Sequence, residues 1–138
     1  MGRKSARKSA FQIVFQIPFY ESFNCEEVLK SFFKAPDFSG VSDDDMEYIK
    51  KDVHGVFERL FEIDELISAF TVGWDIERIS RVDLAIIRLA VYEMRYSDDI
   101  PSGVAINEAV ELAKEFGDDD SPKFINGILG TMFRMMGQ

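Results

Sequence analysis

Histidine and cysteine are nearly missing from this chain: 138 residues hold one of each, His54 and Cys25. A single cysteine closes no internal disulfide, and without clustered thiolates and imidazoles most metal sites are excluded. Cys25 and His54 could serve as nucleophile and base only if they met, and no third residue is indicated to orient them, so two ordinary packed or surface side chains is the competing reading. The nine glycines form no phosphate-cradling motif. No stretch approaches the roughly 18 consecutive apolar residues of a membrane-spanning helix. The N-terminus opens on charge and not on a signal-peptide core. These absences predict a soluble, cytoplasmic, single-domain protein over residues 1–138, with no catalytic residue, no cofactor, no metal and no membrane partner.

Basic side chains are also scarce, 16 against 25 acidic ones, for a net charge of −9. Taken alone this argues against nucleic acid, because phosphate neutralisation supplies most of that binding. Yet Arg3, Lys4, Arg7 and Lys8 fall within the first ten residues with no acid among them, leaving a net of −13 on the rest. A basic segment on an acidic body favours one defined RNA site over general coating; a solvated tail is the plainer reading of the same run. The run Asp118, Asp119 and Asp120 suggests either a divalent ion or, more simply, charge complementing a helix N-terminus.

What the chain has in plenty is apolar residues at helical spacing, with no strict alternation, so the fold class is all-α. Ala6, Ala10, Ile13, Val14 and Ile17 make one stripe of the first helix, and Lys4, Lys8, Phe11 and Phe15 line its neighbour; Pro18 ends or bends it. Asn24 with Glu27 reads as a capping box, and Ser42 caps a helix with Asp43, Asp44 and Asp45 in its first turn. That pattern continues to Phe70, with a break placed near Asp64. Gly73 and Trp74 mark a junction, with Trp74 as an apolar plug. Residues 81–96 are apolar on most sides and belong in the centre, their Arg88 and Glu93 needing partners or water. Pro101 opens a helix ended by Gly117, with Glu108, Glu111 and Glu115 outward. Ser121 caps the last helix, where Ile125, Ile128, Leu129, Met132 and Phe133 are buried and Gly127 and Gly130 permit a close helix contact. Six principal helices predict two packed three-helix bundles, about 1–73 and 74–138.

A long ordered string carries a family resemblance: Trp74, Val82-Asp83, Ile87-Arg88-Leu89-Ala90, Tyr92-Glu93, Ile100-Pro101, the run Val104 to Lys114, Phe116-Gly117, Ser121 and Lys123-Phe124-Ile125-Asn126-Gly127. Arg3, Arg7, Ala10, Gln12 and Phe15 extend it to the N-terminus. The chain resembles the NusB family. That resemblance implies an antitermination factor, not an enzyme, which binds single-stranded boxA-type RNA with the ribosomal protein NusE and joins the antitermination complex on RNA polymerase, supporting ribosomal RNA transcription. A second copy of the chain is a further candidate partner. The implied RNA-binding residues are Arg3, Lys4, Arg7, Lys8, Gln12, Phe15, Asp120, Lys123 and Phe124, and Asp83 is the implied protein-partner contact. The basic residues suit phosphates, and the two aromatics offer faces to unstacked bases, although core packing is the competing reading for Phe124. Two rival functions are an RNA cytosine methyltransferase accessory domain, for which the chain has no cofactor-binding half, and a helical adaptor that never touches RNA.

Overall fold

The structure, a computed structural model, describes residues 2–17, 24–36, 40–71 and 75–136. Among them are seven α-helices, one 3-10 turn at Ile76–Arg78 and no strand. The helices are α1 (Arg3–Gln16), α2 (Cys25–Phe33), α3 (Asp43–Glu58), α4 (Leu60–Phe70), α5 (Arg81–Tyr96), α6 (Ser102–Phe116) and α7 (Ser121–Met136). Pro18, Gly73 and Trp74 lie outside the described residues, and with them the expected bend and plug.

The all-helical expectation holds, and the centre is where the composition put it. Helix α5 packs against α1, α3, α4, α6 and α7. Its Ile86, Ile87 and Leu89 meet Ile13, Ile49, Ile63, Ile67, Ile125 and Leu129 in one core, every one of them at most 2% exposed. Each such side chain contributes roughly 1.5–3 kcal/mol of burial, which outweighs the weak helix preference of so many β-branched residues. Helices α1 and α3 pair on one side of α5, and α6 with α7 on the other. The start signals are equally direct: the Asn24 side chain accepts from the Glu27 N–H at 3.1 Å, Ser42 from Asp45 at 3.1 Å and Ser80 from Asp83 at 3.1 Å.

Several local expectations need correction. There are seven helices instead of six, because the long third segment breaks at Arg59 (φ −110°, ψ 21°) and not near Asp64. Asp64 sits inside α4 as the bidentate partner of the nearly buried Arg88, at 2.9 and 2.8 Å, so a polar residue in an apolar pattern was a half-buried counter-ion and not a breaker. Ser121 is 1% exposed inside the first turn of α7; the cap is Asp118, whose carboxylate accepts from the Asp120 and Ser121 N–H groups at 2.9 and 3.1 Å. Gly127 and Gly130 make no close helix contact, since a methyl group at Gly127 would meet nothing within 4 Å. The close approach is at Gly55, where an added methyl would overlap the Tyr92 ring and force α3 away from α5. Phe133 is 41% exposed and not part of the buried stripe.

Candidate nucleic-acid interface

Helix α1 carries the basic cluster, and its 3.6-residue period splits that cluster over three directions. Arg3 turns to the start of α3, 2.9 Å from Asp44 and 3.3 Å from Asp45, with its guanidinium 4.2 Å from the centre of the Tyr48 ring. Lys4 and Lys8 turn to α6: Lys4 Nζ is 3.8 Å from Glu108 and Lys8 Nζ is 2.8 Å from Glu115. Phe11 then meets Phe116 at 5.0 Å between ring centres. These contacts rise together along both helices, so α1 and α6 run parallel. Between them lies a groove of about 320 Å³ edged by Lys4, Lys8, Glu111, Lys114 and Glu115.

Arg7 points inward. It is 6% exposed, 3.2 Å from the Glu93 carboxylate and 3.7 Å from Glu108. Burial works against its charge, but Glu93, Tyr48 and Glu108 together outweigh it and raise its pKa. Glu93, 1% exposed, also accepts the Tyr48 hydroxyl. Beside it Asp52 has both oxygens buried with no donor of their own, since Tyr48 gives its proton to Glu93. Burial first, and then the neighbouring Glu93, push the Asp52 carboxyl up to about 10, so it stays a neutral acid at neutral pH with its proton available to Glu93. The Tyr48 phenol is likewise raised, by burial and then by Asp52 and Glu93. Arg7, Tyr48, Asp52 and Glu93 thus form one buried polar cluster tying α1 to α3 and α5.

The remaining residues of the basic face continue along α1. Gln12 is exposed and Phe15 half-buried, so Lys4, Lys8, Gln12 and Phe15, at spacings of four, four and three, line one side. Since α1 and α6 are parallel, that stripe ends where the chain leaves α6 for α7. There Asp120 and Lys123 are exposed and Phe124 is half-buried against the core. The three edge a wide groove of about 640 Å³ that Phe70 and Thr71, at the C-terminal end of α4, also line. The structure thus lines Lys4, Lys8, Gln12 and Phe15 along one side of α1, sets Asp120, Lys123 and Phe124 together at the start of α7, sends Arg3 to α3 and buries Arg7.

Asp83 is recessed where a displayed contact was expected. It is 8% exposed in the first turn of α5, with one carboxylate oxygen buried and unpartnered, and its charge complements the positive end of that helix. The pair Cys25 and His54 does not assemble: the buried thiol lies 3.9 Å from the Val53 carbonyl and is pushed up to about 11 by burial and then by Glu26 and Glu58, while His54 Nε2 lies 2.8 Å from Glu26. No group of three metal-ligating side chains and no helix long and apolar enough to cross a membrane occurs among the described residues. Sequence reasoning missed the Asp52 and Tyr48 side of the ionic cluster, and Phe70 and Thr71 in the end groove. A signal for Asp52 existed: with Ile49, Val53 and Val56 it keeps the spacing of a buried face.

Among the described residues the molecule is all-helical, with basic, amide and aromatic side chains displayed along α1 and at the start of α7. The NusB family profile matches residues 4–134. A curated relative from Acetivibrio thermocellus, named transcription antitermination protein NusB, is 45% identical over 98% of this chain and 90% of its own length. Among solved structures, T. maritima NusB superposes with a TM-score of 0.87 at 34% identity, covering 97% of this chain and 92% of that one. A structure of the antitermination factors NusB and NusE in complex with double-stranded RNA gives 0.84 at 27% identity, covering 96% of each chain. The chain belongs to the NusB family.

Proposed function

We propose that this protein is a cytoplasmic, non-enzymatic transcription antitermination factor. It binds single-stranded boxA-type RNA together with the ribosomal protein NusE and joins the antitermination complex on RNA polymerase, in support of ribosomal RNA transcription. One observation carries the reading: the stripe Lys4, Lys8, Gln12 and Phe15 leads to the end of the bundle where Asp120, Lys123 and Phe124 stand, so phosphate, base-edge and stacking contacts follow one strand path. The solved NusB and NusE structure, which holds double-stranded RNA, supports RNA as the class of ligand and NusE as the partner. Within this reading Lys4, Lys8 and Lys123 meet phosphates, Phe15 and Phe124 stack on bases, and Gln12 and Asp120 read base edges. Arg3 reaches the strand only by leaving Asp44 and Asp45. Arg7 holds α1 in place from below, and Asp83 orders the start of α5 beside the partner surface.

A titration of the protein with a boxA-like strand, a scrambled strand and an RNA duplex, with and without NusE, tests the proposal. Replacing Lys4 and Lys8 together by alanine is expected to weaken binding and to flatten its salt dependence, by up to roughly 0.7 in slope for each phosphate of a single strand that is no longer neutralised, with an unchanged melting temperature. An unaltered salt slope removes α1 from the site and favours an adaptor that does not touch RNA. Phe124→Ala is expected to lower RNA affinity by about 1–3 kcal/mol if its half-exposed ring stacks on a base. A lower melting temperature with intact RNA affinity would assign the ring to the core alone.

A further inference from the structure

Two of the lysines assigned to phosphate, Lys4 and Lys8, are already paired. Glu108, Glu111 and Glu115, at spacings of three and four, share the side of α6 that faces α1, and the parallel register sets Glu108 opposite Lys4 and Glu115 opposite Lys8. Glu111 is taken by Lys114 of its own helix at 3.1 Å. The two cross-helix pairs differ from the one beneath them. Arg7 and Glu93 are 7% and 1% exposed and hold the fold, whereas Lys8 and Glu115 are 40% and 50% exposed and face a groove open to solvent. A solvated pair adds little to stability and is readily exchanged. Its partner nonetheless fills the position that a phosphate oxygen must take, and a phosphate that takes Lys8 leaves the Glu115 carboxylate uncompensated within a Debye length, about 8 Å.

Building on the RNA-binding reading above, we infer that the α6 carboxylates, Glu115 foremost, act as an internal substitute for phosphate: they hold the α1 lysines in the free protein and must be displaced by RNA, which sets the affinity and rejects strands that offer phosphate alone. Displacement returns an unpaired carboxylate to solvent. That carboxylate draws back part of the cation released from the RNA, so each exchanged pair yields less counterion release than a free lysine would. Binding then depends on what phosphate cannot supply, the stacking and base-edge contacts at the far end of the stripe. A strand lacking suitable bases gains too little to open the pairs.

The experiment is a fluorescence-anisotropy titration of a labelled single-stranded RNA of about 12 nucleotides over a series of potassium chloride concentrations, with melting curves for each protein. Glu115→Gln keeps the side-chain shape and removes the charge. It is expected to tighten binding roughly three- to fivefold and to steepen the salt slope by a fraction of the roughly 0.7 due to one neutralised phosphate, at an unchanged melting temperature. Tightening should be larger for a scrambled strand than for a boxA-like one. Glu65→Gln, on α4, which packs against α5 and α7, removes the same net charge away from the groove and is expected to change little. Equal tightening by both variants, or none by Glu115→Gln, overturns the inference while leaving the RNA site standing, provided that the Lys4 and Lys8 double variant still weakens binding. If that double variant binds like the unaltered protein, the site reading fails and this inference falls with it.

Discussion

Arg7→Ala is expected to cost about 3–5 kcal/mol of folding free energy, the penalty of removing one member of a buried charge pair. Glu93 is 1% exposed and reaches no other cation among the described residues. Without Arg7 it must either stay charged in a dry site or bind a proton, and both are unfavourable at neutral pH. The loss should appear in urea unfolding as a lower midpoint with an unchanged slope. Glu93→Gln in the same chain removes the stranded charge, so the double variant is expected to lie well above the sum of the two single losses. A loss below about 1 kcal/mol for Arg7→Ala would show that the pair is not what holds α1 to α5. Arg7 would then be available to phosphate, as its place in the basic run suggests. The same measurement guards against misreading RNA data: weak RNA binding by an Arg7 variant reports a displaced α1, because the side chain itself is 7% exposed.

That case shows where sequence reasoning stops. Periodicity placed Ala6, Ala10, Ile13 and Val14 inside and delimited α5 at Arg81–Tyr96, because burial of one face is a local, repeating signal. Caps at Asn24 and Ser42 were legible for the same reason, being set within three residues. The partner of Arg7 lies 86 residues away, and nothing local distinguishes a basic residue on the solvent face from one rotated a single position inward. Lys4 and Lys8 read correctly as surface groups, yet their facing carboxylates on α6 became visible only once the helices were seen to run parallel. The break at Arg59 was hidden because the apolar spacing carries across it, and Asp64 drew attention away by being polar in the wrong place. The Gly127 misreading has a like origin. A small residue marks either a close contact or an open groove, and composition does not say which; here the groove with Phe70 and Thr71 took Gly127, and Gly55 made the contact.

Asp52→Asn is expected to leave stability little changed below pH 4 and to stabilise the protein increasingly as pH rises above that. With its carboxyl pushed up to about 10 by burial and then by Glu93, Asp52 stays protonated in the fold, whereas in the unfolded chain it ionises near its ordinary value of 3.8. The sign follows from linkage. Between those two values the folded state binds more protons than the unfolded one, so this group's contribution is fully present below pH 4 and is lost steadily as pH rises towards 10. The slope is on the order of 1 kcal/mol per pH unit. Tyr48 and Arg7 face the same cluster, but both pKa values are raised above their already high ordinary values, so neither titrates in this window. Asparagine has the shape of the neutral acid and gives Glu93 the same donor through its amide N–H, and it does not titrate. Melting temperatures of the two proteins should therefore converge as pH falls to 4, stand apart already at pH 5 and separate progressively to pH 9, with the variant above. Parallel curves across that range would mean that Asp52 is ionised in the fold and that some other donor satisfies it. Because the cluster seats α1, the stripe of Lys4, Lys8, Gln12 and Phe15 should hold its place over the pH range in which that shared proton stays bound. The variant is then expected to keep its RNA affinity at pH 9 better than the unaltered protein does.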